Sequence, residues 1–581
     1  MKLEKTAEYT NQQLQQKIAN SPDRSTLNLS SSALTDLDME IVAKEIEINR
    51  TLRTLQLYAN QISDIGARHL ADALRTNKTI IDIQLHNNKV GTDGLEHFAD
   101  ALRTNKTLTT LTLYQNGIKD EVAQCIADGL KVNKIVTHLY LNENQIGDSG
   151  AQNLADALKS NKTLTILYLH ENQIGDIGAQ HLSEALKTSQ TLTRLEIYTN
   201  KIGDIGAQHL ADALKVNKVL KELHLYKNKI GDTGAQHLGD ALKINQILTL
   251  IELQTNQIGE TGAQYLADAL KINQKLTCVD LEKNQIGDTG TQHLAEALKV
   301  NRTLKDLRLQ KNQITDSGAQ HIADGLKVNQ TLSILNLNQN QIGDNGAQYL
   351  SDALKINQSL QQIYLGANQI TDTGAQCFAE TLKVNKTLTV LGLHQNQIGD
   401  IGAQQLAEVL KTNKTLTQLG LSQNRITDTG TQHLADALKT NTTLLMLEVG
   451  SNVGDTGAQY IAEALKINKV LTHLFLSQNQ VTDTGAQYLA DALKINKTLT
   501  HLVLQQNQIS DNGAQQLADM LKVNKALKEL YLSNNQIGDS GAQNLAEALR
   551  NNQVSIPFLF IFFIYSIFIS FLDNTNYISW W

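Results

Sequence analysis

Residues 52–79 read LRTLQLYANQISDIGARHLADALRTNKT, and this 28-residue pattern returns along most of the chain. Leu55 and Leu57 are two apart, the spacing that puts side chains on one face of a strand, while Gln56 and Tyr58 take the other face. Ala67, Leu70, Ala71 and Leu74 follow at i, i+3, i+4 and i+7, one face of a helix. Asp64 stands where a helix N-cap belongs, its carboxylate expected to accept a backbone N–H. Gly66 is expected to relax the backbone at that turn. Arg68, Asp72 and Arg75 are left for the solvent side, with Asp72 and Arg75 close enough to pair weakly. Asn77-Lys78-Thr79 then returns the chain to the next strand.

Outward from this stretch, asparagines recur at 60, 88, 116, 144 and on to 424, every 28 residues. Asn452 follows in phase, one residue is missing, and the series resumes at Asn479, Asn507 and Asn535. With a degenerate first unit that has Ser32 in the Asn place, the chain holds about 19 units. One unit cannot bury its leucines alone, so the units must stack. Each Asn amide is expected to satisfy backbone groups in a tight turn. Two units break the rhythm: Val122 stands where the others have Gly, and Gly450-Ser451-Asn452-Val453-Gly454 is one residue short.

The unit LxxLxLxxNxIgDxGAqxLAdALkxN resembles the ribonuclease-inhibitor class of leucine-rich repeats, closest in flavour to the repeats of NOD-like receptors. The resemblance covers roughly residues 25–552 and implies an α/β leucine-rich-repeat solenoid, a horseshoe with parallel strands on the concave face and helices on the convex face. It implies a non-enzymatic scaffold that binds another protein on the concave face. No nucleotide-binding motif G-x-x-x-x-G-K-[ST] occurs. Ran GTPase-activating proteins use similar repeats, so GTPase activation or regulation is the alternative, although no acidic region follows the solenoid here.

The net charge of −7 gives no reason to expect a nucleic-acid partner, whose binders carry a basic face. Cys125, Cys278 and Cys377 are far apart and cannot staple the ends, and residues 1–24 hold no apolar signal region. A cytoplasmic, monomeric solenoid over residues 25–553, preceded by a polar cap at 1–24, is the expectation. Sequons such as Asn77-Lys78-Thr79 and Asn385-Lys386-Thr387 share one repeat phase and read as loop chemistry.

Function is sought on the outward strand positions, which vary while the scaffold repeats. Tyr58, His86, Tyr114, His170, Tyr198 and Tyr226 form one row, with Asn142 in its middle. Tyr140, Tyr168 and His224 occupy the next row, and His138 lies beyond. Neighbouring coils put these rings within stacking reach, and tyrosine suits a binding surface. A second zone is charged: Arg194, Glu196, Glu222, Glu252, Asp280, Glu282, Asp306 and Arg308, with Lys227, Lys283 and Lys311 along an edge. It would attract a partner with a basic patch. A third zone, Gly366, Gly392, Gly420, Ser422, Gly450 and Ser477, offers little anchorage, though Tyr364 and His394 interrupt it.

No catalytic or metal-binding motif stands out, and no cofactor is expected. His69, His181, His209, His237, His293, His321 and His433 share one helix phase, and Gly231-Asp232-Thr233-Gly234 belongs to a helix start, not to an RNA-binding loop. Residues 554–572 are nineteen without a charge, followed by a short tail at 573–581. Three readings stay open for them: a membrane tail anchor, non-native sequence, or a hydrophobic cap on the last coil.

Overall fold

The computed structural model describes residues 10–21 and 25–551. Among them, twenty helices alternate with nineteen strands in the α/β repeat solenoid that the sequence predicts. The chain divides into two units, Met1–Leu335 and Asn336–Trp581. In the first, strands from Thr26–Asn28 to Asp306–Arg308 pair in parallel and in chain order. Each residue faces the one 28 positions on, as Leu167 faces Leu195 and Leu195 faces Leu223. In the second, strands from Gln362–Tyr364 to Glu529–Tyr531 also pair in parallel and in chain order. The hydrophobic segment 554–572 lies outside the described residues. Among the described residues no helix is long and apolar enough to cross a membrane.

One coil shows why the units stack. Leu192, Leu195, Ile197, Ile202, Ala207, Leu210, Ala211, Ala213 and Leu214 are all buried. They come from the strand Arg194–Glu196, its turn and the helix Asp204–Val216. Burial of each large aliphatic side chain is worth about 1.5–3 kcal/mol, and only neighbouring coils supply the cover. The solvent side is also as expected: Arg75 and Asp72 meet at 3.6 Å with both side chains exposed, a pair worth about 0.5 kcal/mol or less.

Three polar devices tie each coil to the next. The first is the asparagine ladder. Asn172 Nδ2 donates to Leu141 O, Leu169 O and His170 O at 3.0, 3.1 and 3.2 Å, and its Oδ1 accepts from Ile146 N at 2.9 Å. The second uses the asparagines of the return loops. Asn161 is buried, donates to Leu130 O at 2.9 Å, and accepts from Thr163 N and Leu164 N. Asn77 and Asn385 of the sequons are buried in the same way, which fits a loop-building role.

The third device corrects the reading of Asp64. That residue is the first of its helix, and the N-cap is Ser63. Asp64 Oδ1 accepts from Gly94 N, in the following coil, at 2.9 Å. Likewise Asp148 Oδ1 accepts from Gly175 N and Gly178 N at 2.6 and 2.9 Å. The carboxylate thus satisfies unpaired N–H groups at the start of the next helix, where the dipole also favours it.

The role expected of Gly66 changes with it. The glycine sits in the first helical turn and is needed for space. A Cβ at Gly206 would lie 2.7 Å from both Asp176 Oδ1 and Ile202 Cγ2. The exception at Val122 now has a reason, because the preceding coil has Thr92 in place of the Asp. The left-handed backbone lies elsewhere, at the residue before each ladder asparagine, as at Ala59, Glu143 and Lys227 with φ of 55°, 53° and 51°. These strained non-glycine residues are held by the ladder.

The short coil departs from the expected series. Asn452 is exposed and ends an elongated strand, Met446–Asn452, which pairs with the ten-residue strand Gln418–Thr427. Main-chain pairing replaces the ladder there, and Gly450 takes a left-handed φ of 106°. The next pairing is offset by 27 residues, as Met446 faces His473.

Candidate functional site

The strand register aligns Tyr140, Tyr168, Glu196, Glu252, Asp280 and Arg308 in one row and Glu222 with Arg194 in another, and Tyr58, Tyr114, His170, Tyr198, Tyr226 and Glu282 each follow two residues after their strands. The rows stack as expected. Tyr58 lies on His86 with centroids 4.6 Å apart, and His86 lies on Tyr114 at 4.0 Å. Asn142 interrupts the row, and a second stack follows: His170 on Tyr198 at 4.0 Å and Tyr198 on Tyr226 at 3.8 Å. On the adjacent row Tyr140 meets Tyr168 edge to face at 4.7 Å, and Tyr168 lies 5.6 Å from His170. Arg194 stands over the Tyr168 ring at 5.4 Å. Stacking leaves the tyrosines half-buried, and His86 and His170 are buried. Burial holds the His86 imidazole neutral down to about 4 and pushes the Tyr198 phenol up to about 12.

The charged zone is internally compensated. Glu196 is buried, takes Arg194 Nη2 at 2.5 Å, and lies 3.2 Å from His170 Nδ1. Arg194 also reaches Glu222 at 3.1 Å, and His224 reaches Glu252 at 2.6 Å. Arg308 bridges Asp306 at 2.8 Å and Asp280 at 3.5 Å. Glu282 receives Lys311 at 2.8 Å and Gln310 at 2.6 Å. The zone therefore presents a woven polar surface in which each carboxylate already has a partner. Opposite charges at i and i+2, as in Arg194 and Glu196, share a strand face, so this pairing was readable in the sequence. Cys278, in the same row as Arg194, has its thiol pushed up to about 12 by burial, which removes it as a nucleophile near neutral pH.

Asp280 is the most buried acid of the group. Burial pushes its carboxyl up to about 7, against the pull of a backbone hydrogen bond and of Arg308. The unfolded chain then releases this proton first, so the residue costs stability as pH rises from about 4 to about 7. Asp280→Asn keeps an acceptor for Glu282 N, now 2.9 Å away, and leaves Arg308 with Asp306. The variant is expected to match the wild type near pH 4 and to exceed it at pH 8 by on the order of 2 kcal/mol in urea unfolding. Equal stabilities at pH 8 would show that Arg308 already holds the carboxylate ionised.

In the second unit two glycines of the third zone, Gly366 and Gly392, act as slots. The His394 ring lies where a Cβ on Gly366 would stand, and the Tyr364 ring lies against Gly392. The Tyr364 ring is buried and the His394 ring is half-buried against the sheet. Among the described residues no group of three or more His, Cys, Asp or Glu is placed to hold a metal ion.

A family model described as Leucine Rich repeat matches residues 49–71, 132–155, 160–183, 188–211, 216–239, 273–295, 300–323, 328–351, 357–379, 384–407, 412–435, 468–490, 496–518 and 523–546, more than half of the chain. The chain belongs to the leucine-rich repeat family. No curated protein matches the sequence. Similar solved structures include an internalin, inlF, from Listeria monocytogenes, 20% identical, covering 64% of this chain and 92% of that one with a TM-score of 0.41. Another is the plant peptide hormone receptor RGFR1 in complex with RGF2, 17% identical, covering 90% of this chain and 88% of that one with a TM-score of 0.38. Likeness at this level bears on neither ligand nor activity.

Proposed function

We propose that this protein is a non-enzymatic scaffold that captures another protein on the strand face of its first unit. Tyr58, Tyr114, Tyr140, Tyr168, His170, Tyr198 and Tyr226 are the anchors. Glu196, Glu222, Glu252, Asp280, Glu282 and Arg308 form the polar surround. The observation that carries the reading is the pair of ring stacks. Rings already held by their neighbours lose little freedom on binding, and tyrosine combines area with a polar tip. Because the carboxylates are paired within the chain, they favour a partner whose basic patch enters between existing pairs, which gives selectivity more than raw affinity. Within its family we place the chain in the ribonuclease-inhibitor class, as a cytoplasmic monomer with its solenoid over residues 25–553.

The test is a pull-down with the full chain and with a variant carrying Tyr114→Ala, Tyr168→Ala and Tyr198→Ala. Partners of the strand face are expected to bind at least about tenfold more weakly to the variant. Circular dichroism and urea unfolding check that the variant is folded. Unchanged recovery of every partner by a folded variant overturns the assignment.

A further inference from the structure

The helix ends and return loops form an edge whose composition differs from the rest of the molecule. Among the described residues, twenty-one large apolar side chains are exposed, and twelve of them share one repeat phase, at the end of the helix. In the first unit they run unbroken through five coils: Val216, Ile244, Ile272, Val300 and Val328, each 49–55% exposed. Consecutive helices here pack on one another, so at about 8–10 Å per helix the ridge is roughly 40 Å long. The second unit has its own run at Ile467, Ile495 and Val523. Nothing in the fold demands an apolar residue at this place, since Thr76, Thr104, Ser160 and Thr188 occupy it in other coils.

The loops that follow are as one-sided in charge. The eighteen five-residue return loops, from Asn49–Arg53 to Asn524–Lys528, hold seventeen Lys or Arg and no Asp or Glu, in a chain of net charge −7. Beside the ridge of the first unit stand Lys218, Lys221, Lys275, Arg302 and Lys305, all exposed. The helical lysines of the same coils are paired with acids three residues back, as Lys215 with Asp212 and Lys243 with Asp240 at 2.8 Å. The loop cations have no such acid in their own segments. Instead, several loop lysines donate to a carbonyl at the helix end, as Lys134 Nζ to Lys131 O at 3.1 Å and Lys469 Nζ to Lys466 O at 3.0 Å.

The helix dipole accounts for cations at helix C-termini, but it does not account for the apolar row between them. A soluble polyanion would reward the cations and leave the valines and isoleucines in water. A membrane surface rewards both, because aliphatic side chains enter the headgroup boundary while lysines meet anionic lipid. We propose that the edge formed by Val216, Ile244, Ile272, Val300 and Val328 with Lys218, Arg302 and their neighbours docks onto anionic phospholipid bilayers. This is a second surface, independent of the strand face.

The test uses the full chain with Trp580→Phe and Trp581→Phe, so that a single new tryptophan reports its own surroundings. The ridge probe carries Ile272→Trp. The control carries Ile205→Trp, at a position equally exposed but at the start of a helix. With vesicles of phosphatidylcholine and phosphatidylserine, the ridge probe is expected to shift its emission to the blue and to be quenched by brominated acyl chains. The control should do neither, and that contrast separates docking of the edge from attachment through residues 554–572. Lys218→Gln with Arg302→Gln is expected to weaken vesicle binding about tenfold or more, as is raising salt from about 0.1 to about 0.5 M. The proposal is overturned by an unshifted ridge probe, by equal quenching of ridge and control, or by equal binding to vesicles of phosphatidylcholine alone. Binding of a soluble polyanion at this edge without a spectral shift on vesicles would assign the cations to a soluble acidic partner, and also overturns it.

Discussion

Asn172→Ala is expected to cost about 4 kcal/mol, while Asn452→Ala changes stability by less than about 0.5 kcal/mol. The two residues occupy the same phase in the sequence, but only Asn172 holds the ladder. Its loss leaves Ile146 N without its acceptor and takes one of two donors from Leu141 O, Leu169 O and His170 O, which keep Asn144 Nδ2, Asn200 Nδ2 and Glu143 N, around a residue that is 8% exposed. A buried group left without a partner costs about 1–3 kcal/mol. The left-handed Glu171, with φ of 54°, also loses its clamp. Asn452 is exposed and its strand is held by main-chain pairing. Solenoids unfold by neighbouring repeats as well as globally, so the measurement is hydrogen exchange of peptides covering each site, alongside urea unfolding. Equal losses at the two sites would mean that phase alone sets the role.

Gly206→Val is expected to lose about 4 kcal/mol, and part of that loss should return when Asp176→Thr is added. The Cβ of any larger residue meets Asp176 Oδ1 and Ile202 Cγ2, both at 2.7 Å, in a first turn that cannot retreat from the preceding helix. Asp176→Thr alone gives up bonds to Gly203 N and Gly206 N at 2.7 and 2.9 Å, a loss of about 1–2 kcal/mol. The natural pair Thr92 and Val122 shows the alternative solution, with Val122 buried. Ile202 remains in the double variant, so recovery is incomplete. A double-mutant cycle should give a favourable coupling of at least about 1.5 kcal/mol. Strict additivity would show that Ile202, not the carboxylate, is what excludes the side chain.

The sequence and the structure agree wherever period alone decides. Leu55 and Leu57 on one face, the helical run from Ala67 to Leu74, and the ring row from Tyr58 to Tyr226 all follow from spacings of two, three and four, and from a register that repeats with the unit. What escaped was the partner across coils. Asp64 has the composition of a cap, and nothing in its own coil says that its carboxylate serves Gly94, thirty residues on. The same gap hid the need for a small residue at Gly66. Asn452 counted as a member of the series because counting cannot see that a deleted residue turns a ladder into a longer strand. In the charged zone, sign alone suggests attraction for a basic partner and leaves out that Glu196, Glu222 and Asp280 are already paired. Their pairing with Arg194 and Arg308 depends on the strand face they share. Which protein meets the rings is not written in the period at all, because the repeating positions encode the scaffold.

The direction of the cross-coil bonds sets an order on synthesis. Asp148 finds its N–H groups only in the coil that begins near Gly175, and Ile146 N waits for Asn172. A coil leaving the ribosome therefore stays unfinished until its successor has emerged. At about 5–20 residues per second, that delay is roughly 1.5–6 s for each unit. The nascent chain carries one incomplete coil at its growing end, and that exposed end is where a chaperone would be needed.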